Sequence, residues 1–330
     1  MSPRFELDFE PHHGELIDVS PLLRRMVCDN PSKFTFHGTG TYVIGRGDVA
    51  VVDPGPRDVE HIERLLAALD GERVRQIFVT HTHGDHSPAA RTLADATGAP
   101  ILGYGPHPSN ATSEADDGDT DDDWQTGEKR NEQTEEEKAK AEVDREKHRP
   151  DSDFEPDRRL AHGDVVEGPG WTVEALHTPG HISNHLCFAV AEEKAVLSGD
   201  HVMGWSTTII PPPDGDLRAY MASLQLLLDR DDEILYPTHG GPVTKPAAYV
   251  KALHDHRLLR TRQIVQQLEA GPRSVREVVE VLYAAVDRGL WRPAARSVIA
   301  HLVALSDDGR ARPVIESASP MATKTTWELT

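Results

Sequence analysis

The chain has 330 residues, a formal net charge of -20 at pH 7 and 38% hydrophobic residues, a length that predicts two domains plus irregular segments. That charge excludes attraction of the whole molecule to nucleic acid or an anionic membrane, so a polyanionic partner needs a local basic patch. Only Cys28 and Cys187 are present, without paired spacing, which excludes a disulfide framework and a thiolate metal cluster.

Met1 to Pro11 alternates charged and apolar residues with no continuous apolar stretch, and no later segment reaches membrane-span length. The expectation is a cytoplasmic protein with no membrane partner. From Leu16 to about Pro106 strand and helix signals alternate. Tyr42 to Ile44 and Val49 to Val52 predict short strands, and Val59, Ile62, Leu65, Leu66 and Leu69 share one face of a helix over about 57–69. Ile77 to Thr80 predicts a buried strand running into a histidine cluster. Residues 107–157 are nearly devoid of large apolar side chains and rich in Asp, Glu, Lys, Ser and Thr, a composition that predicts a flexible acidic surface insertion with some helix over Glu132 to Lys147.

Strand signals return at Trp171 to Leu176, His185 to Val190 and Ala195 to Leu197, followed by a helix near Leu217 to Leu228 and a strand at Glu233 to Tyr236. Several of these segments run into a ligand-type residue. From about Pro246 the pattern becomes helical, with apolar stripes at Ile264, Val265 and Leu268, at Val275, Val278, Val279 and Leu282, and at Val298, Ile299, Leu302 and Leu305. Asp307, Asp308 and Gly309 mark a turn before a β-ribbon over Arg310 to Ile315. The expected organisation is a domain over 1–245, interrupted at 107–157, and a winged-helix-like domain over 246–330.

The run His81, Thr82, His83, Gly84, Asp85, His86 carries the chemistry. Imidazole nitrogen and carboxylate oxygen are ligands for zinc, and a tight loop, its backbone freed by Gly84, turns His81 and His83 toward one ion and Asp85 and His86 toward another. Two ions need more donors than four residues supply. They stand at later strand ends: His181 after Pro179 and Gly180, Asp200 after Ser198 and Gly199, and His239 after Pro237 and Thr238. Asp200 is the natural bridging carboxylate.

With Asp53 in Val51-Val52-Asp53-Pro54-Gly55, these residues resemble the five ordered motifs of the metallo-β-lactamase superfamily over roughly residues 16–245, apart from the insertion. The resemblance implies an α+β fold, an αββα sandwich with a dinuclear site at its rim. It implies that His81, His83 and His181 hold one ion, that Asp85, His86 and His239 hold the second, and that Asp200 is shared. Asp53 matches an aspartate that orients the ligand loop rather than binding metal. His177, His185 and His201 flank ligand positions and receive no metal role. The implied chemistry is a hydrolase with two Zn2+, or other divalent ions, and a bridging hydroxide, in which Asp85 and Asp53 serve catalysis.

The fold leaves the substrate open. The C-terminal winged helix, together with His37 to Tyr42 and Leu235 to Gly240, is similar to the β-lactamase-like protein 2 group, whose animal member is a mitochondrial single-strand endoribonuclease. RNA is therefore one expected substrate, with Arg257, Arg260, Arg262, Arg273, Arg276, Arg292 and Arg296 as candidate phosphate contacts if they share a face. The alternatives are a small thioester or ester, as in glyoxalase-type relatives, and a non-catalytic binding scaffold, which the full ligand set disfavours. Trp205 to Ile210 and Pro211 to Pro213 are expected to form a loop over the metals, Trp205 either stacking a substrate or anchoring the packing. Ser87 to Ala90 replaces the family's usual glycine pair, which predicts an altered pocket floor. Association into a homo-oligomer stays an open alternative.

Overall fold

The structure, a computed structural model, describes residues 3–108, 150–314 and 319–330. Its first sheet has seven strands in chain order: β1 (Ile17–Asp18), β2 (Leu23–Val27), β3 (Gly40–Ile44), β4 (Asp48–Val52), β5 (Arg73–Phe78), β6 (Ile101–Gly103) and β7 (Arg158–Arg159). The second contains β8 (Val165–Gly168), β9 (Trp171–His177), β10 (Leu186–Val190), β11 (Ala195–Gly199) and β12 (Ile234–Pro237), paired in the order β12-β11-β10-β9-β8.

The continuous apolar runs of the central strands follow from burial on both faces. Tyr42, Ile44, Ala50, Val52 and Phe78 face Trp171, Val173, Ala175, Leu186 and Phe188 between the sheets. On the reverse side Val43, Val49, Val51 and Ile77 pack under α1 (Val59–Ala68) and α2 (Ala90–Thr97). Asp58 caps α1 by accepting from His61 N, one of the orphan donors of a helix start. Helix α3 (Leu217–Leu228), capped by Asp216, covers the outer face of the second sheet through Leu217, Tyr220 and Leu224. Helix, sheet, sheet and helix make the expected sandwich.

The C-terminal part has α4 (Pro246–Glu269), β13 (Arg273–Ser274), α5 (Val275–Leu282), α6 (Trp291–Asp307), β14 (Ala311–Pro313) and β15 (Thr326–Leu329), with β15 between β13 and β14. All three expected apolar stripes meet around Trp291 and Trp327. The ribbon partner of β14 is β15, beyond the segment where the sequence suggests a ribbon. This unit does not stand apart: Val250 and Leu253 of α4 and Ala300 of α6 share one cluster with Leu217, Tyr220 and Leu224 of α3.

Strand β2 escapes a reading by periodicity because Arg24 and Arg25 lie inside it, yet all five of its residues are buried. Arg24 is accommodated by a 2.6 Å ion pair with Glu72. Most of the expected acidic insertion, and the helix suggested within it, lies outside the described residues. Its C-terminal end is packed: Phe154 joins the cluster under α1 and α2, and Asp151 accepts from Ser87 Oγ at 2.9 Å. A lone phenylalanine among acidic residues gives no periodic signal, so only its seat in the core marks it.

Candidate metal centre

The parallel strands β4, β5, β11 and β12 end on the same rim, and the loops that follow them carry Asp53, His81 to His86, Asp200 and His239. His181 lies on the loop after β9. All seven expected ligands therefore converge, in three overlapping sets: His81, His83 and His181; His81, His86 and Asp200; Asp85, His86 and His239.

Two glycines make the approach feasible. Gly180, at φ +139°, precedes His181, and a Cβ there would stand 2.4 Å from the Tyr220 backbone. Gly199, at φ +52°, precedes Asp200, and a Cβ there would meet His185 Nε2 at 2.6 Å. Gly84, by contrast, has no positive φ, so the turn through His83 to His86 does not draw on glycine's freedom as the sequence suggested.

Hydrogen bonds behind the rings set the tautomers. His181 Nδ1 donates to Ile209 O at 2.6 Å and His239 Nδ1 to Gly38 O at 3.1 Å. His86 Nδ1 donates to Asp53 Oδ2 at 2.9 Å. Thr80 Oγ1 donates to the same oxygen at 2.6 Å and so accepts from His81 Nδ1 at 3.0 Å. Each Nε2 is thereby turned inward, the atom that serves as metal ligand once it carries no proton. Asp53 also accepts from Thr80 N at 2.7 Å. It stands behind the histidines in a left-handed turn of φ +49°, a positioning residue that fixes the loop and two rings.

The inner atoms fit metal ions. His83 Nδ1 lies 2.9 Å from both His81 Nε2 and His181 Nε2. One proton cannot serve both contacts, so lone pairs confront each other unless a cation sits among them. Asp200 Oδ1 and His86 Nε2 are buried without a hydrogen bond and face each other at 3.6 Å, a separation that suits two ligands of one ion. Asp85 is oriented by Thr39 Oγ1 at 3.2 Å, and its Oδ2 lies 3.1 Å from His239 Nε2.

Electrostatics divide the centre in two. Burial first, and neighbouring imidazoles second, hold His81 and His83 well below the ordinary histidine value. Burial also lowers His239, but Asp200 and Asp85 outweigh it and raise the ring to about 10. His86 is raised well above its usual value against burial by Asp85, Asp200 and Asp53. Those cations in turn hold Asp85 and Asp200 well below the carboxylate range despite burial.

The sequence assigned His185 no metal role, and in the structure its Nε2 accepts from Asp200 N at 3.1 Å while Nδ1 bonds Thr178 Oγ1 at 2.9 Å. It positions the candidate bridging carboxylate, and no spacing rule marks it. His201 is fully buried with both ring nitrogens unpartnered, and His177 stacks on Tyr104. Ala89 and Ala90 pack beneath the loop in the core under α1 and α2, and Ser87 is tied to Asp151. Trp205 stacks on Phe36 with ring centroids 4.8 Å apart.

Residues 35–239 match the sequence pattern of the Metallo-beta-lactamase superfamily. The chain belongs to this superfamily. Residues 274–317 match the Beta-lactamase associated winged helix domain, the unit built from α5, α6 and β14. Among similar proteins, an "Atrochrysone carboxyl ACP thioesterase" of Aspergillus chevalieri is 29% identical, covering 84% of this chain and 78% of that protein. A "Beta-lactamase-like protein 2 homolog" of Drosophila melanogaster is 28% identical, covering 89% and 90% respectively. A beta-lactamase domain protein from Burkholderia ambifaria has the same fold, with a TM-score of 0.75 at 19% identity over 98% of this chain and 96% of that one.

The arginines suggested as phosphate contacts do not form one open face. Arg257 and Arg296 are buried and donate to Thr208 O and Pro212 O of the loop after Asp200. Arg260 and Arg273 donate to Leu282 O and Gln267 O, and Arg276 pairs with Glu280. Among the described residues no helix is long and apolar enough to cross a membrane.

Proposed function

We propose that this superfamily hydrolase binds two divalent ions, zinc foremost, and cleaves a thioester. The paired 2.9 Å contacts at His83 Nδ1 support the metal reading, because a coordinated cation would satisfy all three inward-facing nitrogens at once. On this reading His81, His83 and His181 hold one ion, Asp85, His86 and His239 the other, and Asp200 lies between them. The ions supply Lewis acidity, polarising the scissile carbonyl and bringing the acidity of water toward neutral pH.

The chain's own residues supply orientation. Asp53 and Thr80 fix His86 and His81, Thr39 aims Asp85, and His185 fixes the backbone of Asp200. For the substrate, the relative named an acyl-carrier thioesterase supports a thioester. The net charge of -20 and the engagement of tail arginines by backbone carbonyls weigh against a polyanionic RNA. The test compares an acyl thioester, an ester, a cyclic lactam and single-stranded RNA on zinc-loaded wild type and Asp200→Ala. Wild type should carry close to two zinc equivalents and turn over the thioester, and Asp200→Ala should lose at least one equivalent together with activity. Trace zinc after loading, or cleavage of RNA alone, refutes the reading.

A further inference from the structure

A cavity of about 410 Å³ lies where α3, α4 and α6 meet, a size within the range of about 300–1,000 Å³ typical of ligand clefts. None of the candidate metal ligands lines it. Leu217, Met221, Leu258 and Leu305 give it an apolar wall, and Arg257, His301 and Arg310 line the same space.

The charge here is unbalanced. Arg257 is 3% exposed, and its guanidinium donates to Thr208 O and lies over the Tyr220 ring. Its Nε has no partner, and among the described residues no carboxylate pairs with it. A buried cation without a counter-ion is costly. Asp308, the acidic residue of the lining, is occupied by Arg218 at 2.6 Å. Arg310 is exposed and makes no side-chain hydrogen bond or ion pair among the described residues. His301 is fully buried and its Nε2 is unpartnered. Burial first, then the charge of Arg257 and Arg260, holds it well below the usual histidine value and His256 at about 4. An excess of positive charge therefore surrounds an apolar space.

We propose that this cavity binds an amphipathic monocarboxylate, its chain or ring against Leu217, Met221, Leu258 and Leu305 and its carboxylate between Arg257 and Arg310. One negative charge balances the buried guanidinium of the lining, and a planar carboxylate suits its forked donors. The site is separate from the metal centre, and its occupancy is an equilibrium property that does not depend on which substrate the enzyme cleaves.

The experiment is calorimetric titration of the zinc-loaded full chain with sodium octanoate, with octanamide as the neutral isostere. Octanoate should bind saturably at one site and octanamide at least about tenfold more weakly. Arg310→Ala and Leu258→Glu, both at exposed positions, should each weaken octanoate by about tenfold or more. Asp85→Asn should leave it unchanged. Equal binding of octanoate and octanamide, no saturable binding, or binding that vanishes in Asp85→Asn but survives Leu258→Glu each overturns the proposal, the last by locating the anion at the metals.

Discussion

Asp53→Asn probes the support beneath the metal centre without touching an expected ligand. Asp53 is 1% exposed and accepts from Thr80 N, Thr80 Oγ1, His86 Nδ1 and, at 3.3 Å, Thr238 Oγ1. Asparagine has one acceptor oxygen. If that oxygen keeps Thr80 N, the new NH2 faces the threonine hydroxyls, which can rotate to accept, and the imidazole N–H of His86, which cannot. The loss is one charge-assisted bond, about 1.5–3 kcal/mol, or a tautomer change that places the proton on Nε2 and closes that position to metal.

Support of this kind is worth about 10–100-fold in metal affinity, or about 1.4–2.7 kcal/mol. The assay is competition between the protein and a fluorescent zinc chelator, with thermal unfolding as the control for folding. Affinity within about twofold of wild type in a folded Asp53→Asn protein refutes the argument that Asp53 sets the His86 tautomer.

Metal binding should release protons at neutral pH, because His239 and His86 are raised and hold protons while zinc needs their lone pairs. Affinity should consequently rise with pH up to about 10, the value for His239. Calorimetry in buffers of different ionisation enthalpy measures the release, and a buffer-independent heat contradicts it. Truncation after Lys245 should abolish cooperative unfolding or zinc binding, since it strips Val250 and Leu253 from the α3 cluster, each worth about 1.5–3 kcal/mol. It also removes Arg257 from the loop whose Ile209 carbonyl holds His181. A truncated chain that still binds zinc with wild-type affinity shows that the C-terminal unit is dispensable to the centre. Replacing 109–149 with a short Gly/Ser linker should leave zinc content and melting temperature intact, because Asp151 and Phe154 are retained. A fall in either places part of that segment in the core.

Local patterns were enough to read the individual strands, the helical C-terminal unit and the residues that converge at the rim, and the resemblance of the ordered motifs implied the sandwich. Apolar alternation is local, and strands ending in His or Asp place donors on loops whatever the packing. How those donors are aimed depends on contacts made only in the folded chain. Asp53 behind His86, His185 behind Asp200 and Gly38 behind His239 are contacts between segments distant in the chain, which no local pattern encodes. Gly199 reads as punctuation until His185 is seen filling the space of its missing Cβ. The tail arginines show the same limit: composition counts them as positive charge, but whether a guanidinium meets solvent or a buried carbonyl depends on which surfaces α4 and α6 cover. Arg257 lies beneath the loop that follows Asp200 because Val250 and Leu253 of its helix bury their side chains against α3, and that burial fixes which face of α4 turns inward.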